Sequence, residues 1–232
     1  MTATSKPVAL VTGGNRGIGF AIAQGLLAQG YQVMITARSL ASAEQAAAKL
    51  SGTVVPVTLD VSQDDSIEQA VKTIRQHSDR LDVLINNAGV YPDEGVNILT
   101  INRERLAATL NTNTLGAIRL TQACLPLLKA AEAACVINTS SGYGEINGLS
   151  ANVPSYCLSK LALNGATIML AQALQPHGIV VNAIDPGWVK TDMGGDSAPR
   201  SPEQGADTAL WLATAAPRET GKLWRDRQAI AF

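Results

Sequence analysis

A short apolar run that breaks at a glycine-rich turn near the N-terminus most restricts the fold. Val8–Val11 is wholly apolar, which predicts a buried parallel strand. The glycines that follow are spaced Gly13-x3-Gly17-x-Gly19, and a helical pattern runs from them to Gly30. Such a turn lets the backbone approach a diphosphate, whose charge the helix N-terminus stabilises. The segment therefore predicts dinucleotide binding. Its spacing differs from the general G-x-G-x-x-G pattern, and a merely tight connection is the alternative.

The end of the second predicted strand, Gln32–Ala37, indicates which dinucleotide binds. A site for NAD usually places Asp or Glu there for the ribose 2′-hydroxyl, whereas this chain has Arg38. Arg16 lies in the glycine loop, and two guanidinium groups suit a 2′-phosphate. We therefore expect NADP(H) as the cofactor. The alternative is that Arg38 is only a solvated residue at a strand end.

Strands and helices alternate along the rest of the chain. Further strands are predicted at Thr53–Leu59, Asp82–Ile85, Cys135–Thr139 and Ile179–Ile184, with a last one near Leu223 and Trp224. Helices are predicted over Leu40–Leu50, about 62–78, Arg103–Leu128 with a break at 111–116, from Pro154 onward, and from Pro202 to about Thr214. This alternation predicts an α/β fold in one domain over residues 1–232. We expect a Rossmann fold, a doubly wound parallel sheet of about seven strands with helices on both faces.

Composition excludes several classes of function. Formal net charge is −1, and no stretch clusters Lys or Arg, so neither nucleic acid nor an anionic membrane surface is an expected partner. Met1–Pro7 lacks the apolar region of a signal peptide, and no apolar run approaches the ~18 residues that span a bilayer. We therefore expect a cytoplasmic protein.

Three widely spaced cysteines, Cys124, Cys135 and Cys157, include no CxxC pair. This pattern is typical of reduced thiols in a cytoplasmic protein. Cys157 adjoins the site proposed below, but neither histidine is near it in sequence, so we do not expect a nucleophile. No metal is expected.

A tyrosine and a lysine four residues apart are the strongest sign of chemistry. If a helix starts at Pro154, Tyr156 and Lys160 share one face. A phenol has an ordinary pKa near ~10, and a nearby ammonium lowers it. The tuned phenol can exchange a proton with an alcohol or carbonyl oxygen, to which Ser141 can also bond. Taken alone, such a pair is more often an amphipathic helix edge.

The motifs taken together resemble the short-chain dehydrogenase/reductase family over nearly the full length. Each is weak or moderate alone, and the complete set in one order is specific. The motifs are Thr12-Gly13-x3-Gly17-x-Gly19, Asp60, Asn86-Asn87-Ala88-Gly89, Asn113, Ser141, Tyr156-x3-Lys160 and Pro186-Gly187-x3-Thr191.

This resemblance implies a catalytic tetrad of Asn113, Ser141, Tyr156 and Lys160. It implies that Tyr156 is the general acid in reduction and the general base in oxidation. Ser141 would polarise and orient the substrate carbonyl, and Lys160 would bind the nicotinamide ribose and lower the pKa of Tyr156. Asn113 would hold a water that continues the proton relay.

The resemblance also implies a cofactor site and the neighbourhood of a substrate pocket. The implied cofactor residues are Gly13, Asn15, Arg16, Gly17, Ile18, Gly19, Arg38, Asp60, Val61, Asn87, Ala88, Gly89, Tyr156, Lys160, Pro186, Gly187, Val189 and Thr191. Candidate pocket residues beside the tetrad are Tyr91, Tyr143, Ile146, Trp188 and Met193. Ordinary loop packing explains each pocket residue equally well.

Within the family, the segments Pro186–Met193, Ser201–Ala206 and Gly221–Arg227 resemble carbonyl reductases. The gap from Ser141 to Tyr156 is short, whereas monomeric members of that branch carry a long insertion there, so we expect a homo-oligomer, a dimer or tetramer. The expected function is an NADPH-dependent carbonyl reductase, reversible as an alcohol dehydrogenase, acting on a small ketone or aldehyde. The alternatives are a reductase of 3-oxoacyl thioesters, terpenoids or steroids, and a non-catalytic NADPH-binding sensor.

Overall fold

In the computed structural model, which describes residues 6–215 and 219–232, the strands form one eight-stranded sheet. The strands are β1 Val8–Val11, β2 Gln32–Ala37, β3 Val54–Thr58, β4 Val83–Asn86, β5 Cys135–Thr139, β6 Val180–Ile184, β7 Leu223–Arg225 and β8 Gln228–Ile230. Their order is β3-β2-β1-β4-β5-β6-β7-β8, so the winding direction reverses between β1 and β4. Neighbours are parallel up to β7, and β8 is antiparallel to it. The predicted doubly wound α/β fold is confirmed.

Helices cover both faces of the sheet. They are α1 Gly17–Ala28, α2 Leu40–Ala47, α3 Asp64–His77, α4 Arg103–Leu110, α5 Gly116–Ala130, α6 Pro154–Leu174 and α7 Pro202–Ala215. Residues of α1, α2 and α7 pack in the core of one face, and residues of α3, α5 and α6 pack in the core of the other. The part of the N-terminal prediction that concerns Met1–Ser5 lies outside the described residues.

The central strand β1 supplies both cores because successive strand residues point to opposite faces. Leu10 belongs to the core beside α3, α5 and α6, whereas Ala9 and Val11 belong to the core beside α1, α2 and α7. In the parallel register Leu10 aligns with Met34 of β2 and Leu84 of β4, and all three are fully buried. Each such side chain contributes roughly 1.5–3 kcal/mol by leaving water. The sheet is thereby a rigid base for the loops at its carboxyl edge.

The C-terminal hairpin corrects the predicted strand count. The sequence predicted a single last strand near Leu223, whereas β7 and β8 pair through a turn at Asp226 and Arg227. These two residues have φ of 50° and 61°, the left-handed region that such turns require and that Gly or Asn normally fills. The turn therefore lacks the sequence signal of a hairpin.

The break predicted at 111–116 is a π-helical turn, Asn111–Leu115, between α4 and α5. Such turns inside α-helices occur frequently at functional sites. The hydroxyl of Thr114 donates to the backbone carbonyl of Ser159 in α6 at 2.8 Å, and Asn113 beside it is buried. The turn thus joins this helix pair to α6.

Among the described residues, one helical segment, Pro154–His177, is long and apolar enough to cross a membrane by length and composition. Half of it is buried inside the fold, and it buries the polar side chains of Lys160, Asn164 and Thr167. In this structure it packs as a core helix against the sheet.

Candidate active site

Two predicted cofactor motifs meet where the strand order reverses, which is where open α/β sheets bind ligands. The hydroxyl oxygen of Thr12, at the end of β1, accepts hydrogen bonds from the backbone N–H groups of Asn87 at 2.8 Å and Ala88 at 2.9 Å. It donates in turn to the carbonyl of Ile85 at 3.2 Å. The glycine loop and the Asn87–Gly89 segment are therefore held side by side.

The glycine loop has the close packing that a dinucleotide site needs. A Cβ at Gly19 would lie 2.4 Å from the carbonyl oxygen of Gly13 and 2.5 Å from Nδ2 of Asn87, so only glycine lets α1 approach the loop. Gly17 has φ of +55°, which also favours glycine. The residue before α1, Arg16, makes no capping hydrogen bond through its side chain. The first backbone N–H groups of α1 therefore receive no acceptor from that side chain. These features fit a bound diphosphate.

The two arginines predicted to bind a 2′-phosphate differ in their surroundings. Arg16 forms an ion pair with Asp192, and both side chains are exposed. Arg38 is exposed and makes no hydrogen bond or ion pair with any other residue in 6–215 or 219–232. The N–H groups of Gly13 and Gly14 bond to the side chain and backbone of Thr36, which places the end of β2 against the glycine loop. Arg38 is thus the unengaged cation at this edge.

The remaining predicted cofactor residues lie on neighbouring loops. The carboxylate of Asp60 accepts from the backbone and hydroxyl of Ser62, at 3.0 and 2.7 Å, and fixes the turn after β3 beside buried Val61. A Cβ at Gly17 would lie 3.0 Å from Cγ2 of Thr191, so the loop after β6 contacts the glycine loop. Other predicted members of these loops and of the start of α1 are Asn15, Ile18, Pro186, Gly187 and Val189.

The predicted tyrosine and lysine lie in the first two turns of α6, which starts at Pro154. The Nζ atom of Lys160 is 5.5 Å from the centroid of the Tyr156 ring. Two further tyrosine rings meet that ring edge-on, Tyr91 at 4.9 Å and Tyr143 at 6.2 Å between centroids. The predicted start of the helix and the shared face of the pair are confirmed.

Burial decides the protonation of both groups. It raises the pKa of Tyr156 above its ordinary value, and the hydrogen bond with Ser141 opposes that rise. Burial lowers the pKa of Lys160 from 10.5 to about 8, and its ammonium donates to the carbonyl of Thr139 at 2.6 Å. The expected lowering of the phenol pKa by Lys160 is wrong for this structure, because burial raises that pKa and the nearby carboxylate of Asp185 raises it further. Tyr156 is a protonated phenol at neutral pH, ready to donate.

Ser141 and Asn113 complete the predicted tetrad. Ser141 follows the end of β5, and its hydroxyl bonds to Tyr156 and accepts from the N–H of Tyr143 at 3.2 Å. The side-chain amide of Asn113 donates to Ser159 of α6 and exchanges two hydrogen bonds with the backbone of Val90, all at 2.8–2.9 Å. The structure therefore brings the four tetrad residues together at one edge of the sheet.

Sequence reasoning missed an ionic network behind Ser141. The guanidinium of Arg225 bonds to the buried carboxylate of Asp185, with Nε at 2.5 Å, and also to Glu145. The other oxygen of Asp185 accepts from the N–H of Gly187 at 2.9 Å. The network connects β7 to the loops after β5 and β6. Its three charged residues are 40 or more residues apart in sequence, so no local motif reveals it.

The predicted pocket residues are all exposed, and the structure brings two of the five candidates to the phenol. Tyr91 and Tyr143 contact the ring of Tyr156. The indole N–H of Trp188 donates to a backbone carbonyl six residues further along its own loop, at 2.8 Å. Ile146 and Met193 lie exposed on the loops that follow β5 and β6.

Cys157 lies in α6 directly after the phenol, and all three cysteines are free. Its sulfur accepts from the N–H of Ser150 at 3.3 Å, and burial raises the pKa of its thiol. Burial also raises the pKa of Cys124 and Cys135 to about 12. A raised pKa leaves little thiolate, which argues against nucleophilic chemistry here.

Comparison with known proteins agrees with this arrangement of residues. A family model described as short chain dehydrogenase matches residues 7–201. The chain belongs to the short-chain dehydrogenase family. Among curated proteins, this short-chain dehydrogenase is 35% identical to the short-chain dehydrogenase anuI of Penicillium roqueforti, over 99% of this chain and 98% of the relative.

Two further relatives of this short-chain dehydrogenase differ in the activity that their names give. A 3-oxoacyl-[acyl-carrier-protein] reductase of Synechocystis is 34% identical over 83% of this chain and 78% of its own length. The solved structure of NADPH-bound carbonyl reductase from chicken fatty liver is 31% identical, covers 98% of this chain and 99% of that chain, and has a TM-score of 0.89. The protein is an oxidoreductase of the family that acts on carbonyl or alcohol groups with NAD(P).

Proposed function

We propose that this protein is an NADPH-dependent carbonyl reductase, reversible as an alcohol dehydrogenase, in which Tyr156 is the general acid and base. The observation that carries the proposal is the half-buried phenol of Tyr156, hydrogen-bonded to Ser141 and one helical turn from Lys160. The NADPH-bound carbonyl reductase with the same fold supports it. A single catalytic domain over residues 1–232 accounts for all of these parts.

In the proposed reaction, each residue has a task set by its surroundings. Bound NADPH supplies the hydride for the carbonyl carbon. Ser141 donates to the carbonyl oxygen and orients it, while Tyr156 gives its proton to that oxygen. In the reverse direction Tyr156 accepts the proton of the alcohol. Lys160, fixed by its bond to the Thr139 carbonyl, binds the nicotinamide ribose, and Asn113 holds a water of the proton relay.

The preference for NADPH is assigned to Arg38, the unengaged cation at the end of β2. Arg38→Asp should raise the KM for NADPH about tenfold or more, because a charged hydrogen bond to the 2′-phosphate contributes about 1.5–3 kcal/mol. The KM for NADH, which has no 2′-phosphate, should change little. Arg103→Asp, an exposed change of the same charge on α4, is the matched control. Equal effects of Arg38→Asp on both cofactors contradict the assignment.

The test of the function is the loss of NADPH absorbance with a panel of aldehydes, aryl ketones, diketones and 3-oxoesters, with NADH in parallel. Turnover of several classes with NADPH supports a carbonyl reductase. Turnover confined to one class indicates a dedicated pathway enzyme, such as a terpenoid or steroid ketoreductase. NADPH binding without any turnover favours the non-catalytic sensor.

A reductase of 3-oxoacyl thioesters is the second candidate, favoured by the Synechocystis relative. A direct comparison of kcat/KM for a 3-oxoacyl thioester and an aryl ketone separates the two. A thioester preferred by several orders of magnitude would replace the carbonyl-reductase proposal.

The proposed protein is a cytoplasmic homo-oligomer, a dimer or tetramer, without nucleic acid or membrane partners. Exposed apolar side chains on and beside α5 and α6, namely Leu115, Leu158 and Met169, support association. Light scattering after gel filtration tests this. A species of the 24.2 kDa chain mass at micromolar concentration contradicts it.

A further inference from the structure

A buried carboxylate that the proposed mechanism does not use lies at the start of α6. Asp93 is 2% exposed. Its Oδ2 accepts from the backbone N–H of Tyr156 at 2.8 Å, and its Oδ1 accepts from the hydroxyl of Ser155 at 2.6 Å. Within 6–215 and 219–232, Asp93 takes part in no ion pair. A carboxylate buried without a cation is costly unless hydrogen bonds compensate it.

The compensation comes from the N-terminus of α6. The residue at the N-cap position, Val153, makes no side-chain hydrogen bond, and Pro154 after it has no N–H. A capping side chain normally bonds the N–H of the second or third helical residue, and here Asp93 does so from 63 residues away. The positive end of the helix dipole further stabilises its negative charge. Asp93 thus caps the helix that carries the phenol.

The segment that carries Asp93 also contacts two tetrad residues. The backbone of Val90 exchanges two hydrogen bonds with the side-chain amide of Asn113, and the ring of Tyr91 contacts that of Tyr156. This segment directly continues the Asn87–Gly89 motif at the end of β4. One short stretch of backbone is therefore joined to the cofactor motif, the π-helical turn and the first turn of α6.

We propose that Asp93 is a positioning residue, whose carboxylate fixes the first turn of α6 and so sets Tyr156 against Ser141 and the end of β4. The inference rests on the proposed function of Tyr156. A phenol that moves by a fraction of an ångström loses alignment for proton transfer, while the parts that bind the diphosphate, on β1 and α1, stay in place. Loss of Asp93 therefore lowers kcat and spares cofactor binding.

The test compares Asp93→Ala with Asp93→Asn. Alanine leaves the N–H of Tyr156 without its acceptor, and we expect kcat to fall about tenfold or more, since misplacement of about 1 Å can cost hundredfold. The KM for NADPH should stay within about twofold of wild type, because the substitution leaves in place the contacts that bind the cofactor equally in the ground state and the transition state. Asparagine keeps an acceptor of the same shape and should restore kcat to within about threefold of wild type. This rescue separates positioning from a general effect of charge.

The matched control is Asn102→Ala, which removes an ordinary cap. Oδ1 of Asn102 accepts from the N–H of Arg105 at 2.9 Å at the start of α4, a helix without the phenol. The melting temperature of this variant should be lower than that of the wild type, and its kcat should be unchanged. If Asp93→Ala does not fold, Asp93→Ser leaves room for a bridging water and should lower kcat several-fold. A folded Asp93→Ala or Asp93→Ser protein with wild-type kcat overturns the proposal, as does an equal loss in Asn102→Ala.

A readout without turnover keeps this test separate from that of the function. The chain has four tyrosines, so the Cζ carbons of ¹³C-labelled tyrosine give few NMR signals, and Tyr156→Phe assigns the one of interest. That signal should shift in Asp93→Ala and stay unchanged in Asn102→Ala. An unmoved signal overturns the role of Asp93 whatever the substrate is. A wild-type protein inactive on every carbonyl, with the signal shifted as expected, refutes the function alone.

Discussion

The buried ammonium of Lys160 predicts a cost to stability that depends on pH. Burial lowers its pKa from 10.5 to about 8. The difference of roughly 2.5 in pKa corresponds to about 3 kcal/mol, at 1.36 kcal/mol for each unit. The folded protein releases this proton at lower pH than the unfolded chain. Between pH 8 and 10.5 the unfolded chain therefore binds more protons, and the free energy of unfolding rises with pH in that window.

The variant Lys160→Met removes the titrating group and isolates this cost. Below pH 8 the wild type carries the full penalty, and above pH 10.5 it carries none. The free energy of unfolding of the wild type should therefore gain about 3 kcal/mol relative to the variant across the window. Methionine also leaves the Thr139 carbonyl without its donor, a loss of about 1–3 kcal/mol that does not vary with pH. The informative quantity is therefore the pH dependence of the difference in unfolding free energy between the wild type and Lys160→Met.

Urea denaturation, followed by circular dichroism at constant ionic strength from neutral pH to above pH 10, measures that change. Lys72→Met is the matched control, because it makes the same replacement at an exposed position of α3. A Lys160→Met difference from wild type that does not change with pH refutes the reasoning.

Two further changes probe the close packing and the ionic network. Gly19→Ala places a Cβ 2.4 Å from the backbone oxygen of Gly13, which forces α1 and the glycine loop apart. NADPH affinity measured by fluorescence titration should fall about tenfold or more, since losing one hydrogen bond to the charged diphosphate costs about 1.5–3 kcal/mol. Gly165→Ala, whose Cβ meets open space, should bind as wild type does. Arg225→Met leaves the buried carboxylate of Asp185 without its cation. Breaking a buried pair costs about 3–5 kcal/mol, and the 37% exposure of Arg225 reduces this to about 2 kcal/mol, or a melting temperature lower by roughly 4–8 °C. An unchanged melting temperature contradicts the role of the network.

The elements that local pattern determines were predictable from sequence. The strands Val8–Val11 and Cys135–Thr139 and the start of α6 at Pro154 lie where the sequence places them. Each is marked by its own residues, an apolar run for the strands and proline for the first helical position. The glycine loop was predictable because closely spaced glycines between a strand and a helix are typical of a dinucleotide-binding turn.

Contacts between distant segments were not predictable. Asp93 lies in a Pro-Asp-Glu-Gly stretch that indicates a surface turn, yet its partner is the N–H of Tyr156, 63 residues later. Arg16 was assigned to a phosphate, and its pairing with Asp192 depends on a contact across 176 residues. A single sequence carries no signal for either pairing.

The protonation of Tyr156 shows why a site's electrostatics needs the fold. The spacing to Lys160 predicts a neighbouring positive charge, which would lower the phenol pKa. The depth of the phenol in the protein acts in the opposite direction and is invisible in sequence. In the structure the burial dominates and the pKa rises.

The most direct test of the central claim is the turnover of Tyr156→Phe with saturating NADPH on the best carbonyl substrate of the wild type. Phenylalanine keeps the ring that contacts those of Tyr91 and Tyr143 and removes only the hydroxyl. The account predicts a kcat at least about hundredfold lower, with NADPH affinity within about twofold of wild type, since general acid catalysis contributes about 10²–10⁴. A kcat equal to that of the wild type would contradict the assignment of Tyr156 as the proton donor.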